Sequence, residues 1–209
     1  MQYSQNFFLV LLLFFGISNS LFSQDINSEA EQSLQVAYEK YLEGTNTNWL
    51  QIIQTFEQYL IDSDFKKDGQ TIEMAYLNFL QFRAKSNLLP KMKNKSEIRK
   101  LLDNAKISKE YYQKNNQLRA FEKIGYPIAQ KYIPKLKDKE KIKDLLLMIV
   151  PLYEIALEMP GESLSPTLLS GSFQIFITEN EIKKIVFKQA IILLLSFDLV
   201  YWDDRIYGK

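Results

Sequence analysis

Apolar positions in this chain recur, over most of its length, at the three- and four-residue spacing of a helix face. Leu34, Ala37, Tyr38, Tyr41 and Leu42 line a first stripe, opened by Ser28 and Glu31 as a capping box and closed by Gly44. Trp49, Ile52, Ile53, Phe56, Tyr59 and Leu60 line a second, with Asn48 placed to cap it. The short link between them predicts an antiparallel hairpin. After the polar stretch DSDFKKDG, Ile72, Ala75, Tyr76, Phe79 and Leu80 give a third helix, which the segment Asn87 to Lys95, carrying Pro90, should end.

The second half repeats the habit. Ser96 is placed to cap a fourth helix carrying Ile98, Leu101, Leu102, Ala105, Tyr111 and Tyr112. A fifth runs from about Leu118 to Ile133, with Pro127 expected to kink it or mark a restart. Asp138 is placed to cap a sixth, where Ile142, Leu145, Leu146, Ile149, Tyr153, Ala156 and Leu157 keep the period around Pro151. From Pro160 to Thr178 the period fails, and the alternation SFQIFIT reads as a loop with a short extended piece. Thr178 and Glu181 then form a second capping box and open a last helix to about Phe197. Its apolar residues wrap most of the circumference, which predicts burial at the centre of the fold. The expectation is an all-α protein of about seven helices packed as antiparallel hairpins, in a bundle or short α-solenoid, with one irregular segment.

The run Phe7 to Ile17 is different, because it is apolar without a period. Eleven residues at about 1.5 Å each reach only ~16 Å, against ~30 Å of membrane hydrocarbon. That length suits the core of a secretory signal, and Ser18, Ser20 and Ser23 supply small residues for cleavage. The sequence therefore divides into a signal segment, residues 1–23, and one helical domain, residues 24–209, with export to the periplasm or beyond and no membrane span in the mature part.

Composition narrows the chemistry. The 209 residues contain neither Cys nor His. That excludes disulfides, a lipid anchor on cysteine, the common zinc, copper and haem ligand sets, and triads built on His or Cys. No cofactor is expected. Charge is unevenly spread: residues 24–82 hold 3 basic and 10 acidic side chains, residues 83–143 hold 18 and 6, and residues 144–209 hold 5 and 9. The basic middle is a candidate partner-binding region, led by Arg83, Lys85, Lys91, Lys93, Lys95, Arg99 and Lys100. Its excess of Lys over Arg favours diffuse electrostatics over bidentate readout, and export removes the chain from nucleic acid. An acidic protein or an anionic envelope component is the expected partner.

Two local resemblances add expectations. TFEQYLID at Thr55 to Asp62 and LYEIALEMP at Leu152 to Pro160 resemble the second helix of a tetratricopeptide repeat, with Tyr153, Ala156 and Leu157 at the aromatic, small and leucine positions. The first-helix pattern and the 34-residue period of that family are missing. This resemblance implies stacked helical hairpins that bind protein. GESLSPTLLSG resembles the nucleophile box of type I signal peptidases, with Ser163 as the implied nucleophile and Pro166, Thr167, Leu168 and Gly171 matching. Leu164 and Ser172 depart from that pattern, and Lys183, Lys184 and Lys188 are the lysines close behind that would have to serve as base.

Other constellations are weak. Asp64, Asp68 and Gly69 fit positions 1, 5 and 6 of a calcium loop, but Ala75 stands where a bidentate Glu is required. Asp203 and Asp204 are adjacent and would not converge on a helix. The expected function is that of an exported, non-enzymatic interaction protein; an envelope Ser/Lys hydrolase and a carrier with an apolar cavity beside the last helix are the alternatives.

Overall fold

In a computed structural model, residues 26–86, 95–105, 125–158 and 165–197 are described. Among them the chain is all helical, without a strand. The elements are α1 (residues 26–41), α2 (Trp49–Asp62), α3 (Ile72–Lys85), α4 (Lys95–Asn104), α5 (Tyr126–Tyr132), α6 (Lys141–Glu158), α7 (Pro166–Gln174), α8 (Glu179–Ile182) and α9 (Ile185–Phe197). The apolar run Phe7 to Ile17, Tyr111, Tyr112, Ser163, Trp202, Asp203 and Asp204 lie outside the described residues.

The first two helices form the expected hairpin. Gly44 turns the chain at φ +74°, a conformation that costs a residue with a Cβ about 1 kcal/mol or more. Asn48 caps α2 by accepting from the Gln51 amide at 3.0 Å. Trp49, 1% exposed, then donates its indole N–H to the Tyr38 carbonyl at 2.7 Å, and the two rings meet edge-on at 5.8 Å. This contact fastens α2 to α1.

The end of α2 is a Schellman turn. The Phe65 amide donates to Leu60 O at 2.9 Å and the Asp64 amide to Ile61 O at 3.1 Å, with Asp64 in the left-handed region at φ +61°. This turn carries Phe65 back over the helix, where its ring meets Tyr59 at 6.3 Å and Phe79 of α3 at 5.4 Å. Asn78 of α3 donates to Phe65 O at 2.9 Å and to Gln70 Oε1 at 3.0 Å, so the loop is tied on both sides. Asp64 and Gly69 thus serve turn geometry, and no group of three or more metal-ligating side chains occurs among the described residues.

α3 and α9 form the centre. α3 packs against α2, α7 and α8; α9 packs against α2, α7 and α8. Every residue from Gln189 to Leu195 is buried, as the all-round apolar pattern predicts. No described helix is long and apolar enough to cross a membrane. Lys188 reaches out of this buried stretch to Glu57 of α2 at 2.7 Å, with Glu73 of α3 at 4.0 Å.

Several sequence expectations need correction. The described part of the segment 160–178, residues 165–178, is not a loop with an extended piece: Pro166 occupies the first turn of α7, where a missing N–H costs nothing, and Leu169 and Phe173 are buried one turn apart. The SFQIFIT alternation is the end of that helix and its turn. The last helix is two helices, since the chain turns at Lys183 and Lys184 between α8 and α9, although the Thr178–Glu181 capping box is present. Pro127 sits in the first turn of α5 and so does not kink it, and residues 118–124 of the expected fifth helix lie outside the described residues. Ser28 and Ser96 lie inside α1 and α4 and cap neither. Asp138 accepts from Lys143 Nζ at 2.7 Å instead of capping α6.

Candidate functional site

α6 and α7 each bury one face and leave another open. α6 sends Ile142, Leu145, Leu146 and Ile149 into the core beside α5. The approach is close: a Cβ added to Gly125 would lie 2.5 Å from Ile149 Cγ2. α7 sends Leu169 and Phe173 inward, and its main neighbour is α3. The remaining faces converge on a groove of about 450 Å³. It is lined by Lys141, Asp144, Leu147, Met148 and Pro151 from α6, at steps of three and four residues that keep them on one side. Leu168 and Ser172 of α7, with Ile175 and Phe176 just beyond it, form the other wall.

The groove is mainly apolar, and no described residue fills it. Leu147 is 47% exposed, Leu168 51% and Ile175 85%, whereas Met148 and Phe176 are recessed at 9% and 7%. The Ser172 hydroxyl is satisfied within its own helix, donating to Leu168 O at 2.9 Å, so it presents little unmet polarity to a ligand. Charge enters only at the α6 start, where Lys141 Nζ meets Asp144 Oδ2 at 3.2 Å. A volume in the ordinary range for binding sites, roughly 300–1,000 Å³, combined with apolar walls and one polar edge, suits capture of apolar groups. Nothing lining it is a nucleophile paired with a base.

Beside this edge lies a lysine-rich connection. Residues 131–143 include Lys131, Lys135, Lys137, Lys139, Lys141 and Lys143. Lys131 is held by Glu29 of α1 at 3.2 Å and donates to the Tyr132 hydroxyl at 2.7 Å. Tyr132 in turn donates to Glu29 at 2.7 Å, and Ser33 Oγ lies at 2.9 Å from the same hydroxyl. These hydrogen bonds hold the Glu29 carboxyl below its ordinary pKa and the Lys131 ammonium above its own, with the Tyr132 contact the larger cause in both. Lys143 lowers the Asp138 pKa in the same way, chiefly through its hydrogen bond.

Of the seven residues named from the sequence, the side chains of Arg83, Lys85, Arg99 and Lys100 are described. Arg83 is 1% exposed, with Nη1 donating to Ser86 O at 3.4 Å. It belongs to the core and is removed from the partner-binding region; its place on the inner face of α3, four residues after Phe79, is the cause. Lys85 and Lys100 are exposed and Arg99 is half-buried. Lys95 opens the described part of α4, its side chain outside the description, and Lys91 and Lys93 lie outside the described residues. In the signal-peptidase-like box, Pro166 to Gly171 fall within α7, while Lys184 pairs with Glu31 at 2.6 Å and Lys188 with Glu57. The tetratricopeptide-like stretch from Leu152 lies in α6, and the side chains of Tyr153, Ala156 and Leu157 are outside the description. The groove between α6 and α7 has no residue of α9 in its lining and is not the cavity expected beside the last helix.

The groove itself was missed by sequence reasoning. Leu147 is not on the apolar stripe assigned to its helix, and Leu168 and Ile175 fall in the stretch read as a loop with a short extended piece. No known protein family, no curated protein and no solved structure matches this chain.

Proposed function

We propose that this is an exported, non-enzymatic interaction protein that receives apolar side chains of a protein partner in the α6–α7 groove. One observation carries the reading: Leu147, Leu168 and Ile175, at 47, 51 and 85% exposed, line a recess whose floor is Met148 and Phe176. Exposed apolar surface that is contiguous and concave marks a binding site more often than scattered apolar residues do. A protein segment lying along the groove covers its floor and its most exposed rim residue, Ile175, together, which favours a macromolecular partner. The short apolar run at Phe7 to Ile17 supports export.

The test is a selection of peptides from a random library on the full chain, followed by Leu168→Glu and Leu147→Glu variants. Both side chains are half exposed, so either substitution should change stability by less than about 1 kcal/mol. Binding of the selected peptides should fall at least about tenfold, a loss of ~1.4 kcal/mol. Selected peptides that bind both variants as tightly as the parent would place the interaction elsewhere.

A further inference from the structure

Resting on the reading of the groove as a protein-binding site, we infer that the partner segment is acidic along one edge, with its carboxylates over the lysines that lead into α6. Lys141 is both the first residue of α6 and part of the groove wall. Its pairing with Asp144 is exposed at 43% and 28%, and an exposed pair of this kind holds its partners weakly, so Lys141 can turn to an incoming carboxylate at little cost.

The connection before α6 supplies further charge. Lys135 and Lys139 are exposed and take part in no ion pair among the described residues, while Lys131 and Lys143 are occupied by Glu29 and Asp138. The carboxylates nearby in sequence are Asp138, Glu140 and Asp144, against five lysines between residues 135 and 144, and the local balance stays positive. Lys139 lies two residues from Lys141, at most about 7 Å along the chain, inside one Debye length of ~10 Å. Both therefore act on the same bound carboxylate. Lysines are compact point charges without a fixed fork, so they favour a run of acidic residues over one precisely placed carboxylate. An anionic membrane offers the same charge, and Leu147, Leu168 and Ile175 protrude at the rim, but a bilayer surface leaves a recessed floor such as Met148 and Phe176 unfilled, whereas the side chains of a protein segment reach it. The groove is shaped to accept protrusions from the other side.

Three synthetic amphipathic helical peptides with one Leu/Phe face and a flank of Glu, Gln or Lys, titrated into the full chain by fluorescence anisotropy, test this. The Glu peptide should bind about tenfold tighter than the Gln peptide in ~0.05 M salt, the Lys peptide weakest, and the gap should close near ~0.5 M. A Lys139→Gln, Lys141→Gln double variant should lose the Glu preference and keep the Gln peptide's affinity. Equal affinity for all three peptides overturns the acidic partner and leaves the groove reading standing. If no peptide binds the full chain, both fall. Binding to phosphatidylglycerol vesicles that the double variant abolishes, with no peptide preference, assigns the lysines to a membrane surface and also overturns the inference.

Discussion

The meeting of α2, α3 and α9 and the meeting of α6 and α7 use the same kinds of side chain to opposite ends. In the first, rings close on one another: Phe79 has Phe56 at 5.4 Å, Phe65 at 5.4 Å and Tyr59 at 6.2 Å, each edge-on. In the second, Leu147, Leu168 and Ile175 face a space that no element of the described chain fills. Hydrophobic periodicity does not separate them, since α6 keeps the helical period as α2 and α3 do, although the period fails around α7. Coverage does: the rings of the first region enclose one another, with α9 packed against α2, and no element of the described residues plays that part for the second.

The largest way to break this contrast is to open the sealed region. Phe79→Ala should cost about 3–5 kcal/mol in urea unfolding, because the ring is 0% exposed and three aromatic neighbours cannot all collapse into the void. A loss below about 1 kcal/mol would mean that the aromatic centre is as loosely held as the groove. Lys188→Met should cost less, about 2 kcal/mol, since it leaves Glu57 and Glu73 mostly buried around one missing ammonium. Adding Glu57→Leu should recover part of that loss; no recovery would show that the ammonium's hydrogen bond is not what matters.

The smallest effect lies at the latch between α1 and α5. The Glu29 pKa is depressed in the fold, so its contribution is fully present above the carboxyl's ordinary pKa and is lost as pH falls through the lower folded value. Unfolding midpoints measured down the acid range should therefore drop more steeply for the parent than for Glu29→Gln, with the two curves converging at the acid end. Parallel curves would show that the Glu29–Tyr132–Lys131 contacts add nothing beyond solvent exposure. Because the carboxylate is exposed, the difference should be far smaller than that of Phe79→Ala.

What the sequence made legible follows the range of the interactions involved. The caps at Asn48 and Thr178 depend on residues three apart, and both were readable. The stripes on α2 and α3 were readable because each helix buries one whole face, as was the buried character of α9. α7 was hidden, because Pro166, Gly171 and three serines look like loop composition until a first-turn proline is recognised. Gly171 is tolerated there, with open space where a Cβ would lie. Arg83 was overlooked although its spacing, four residues after Phe79, continues the buried stripe of α3. The groove was illegible because its two walls come from α6 and α7, and no local pattern records which faces a distant helix leaves uncovered.

The Trp49 indole, enclosed by α1 and bonded to the Tyr38 carbonyl, gives the molecule an optical reporter of its own. Its emission senses whether the first two helices remain docked, and Trp49 is not among the residues that line the groove. With Trp202 replaced by Phe, only one fluorophore of that kind remains in the chain. A ligand that fills the groove without loosening the α1–α2 corner should leave that signal unmoved, whereas detachment of α1 should shift it to the red before the aromatic centre gives way.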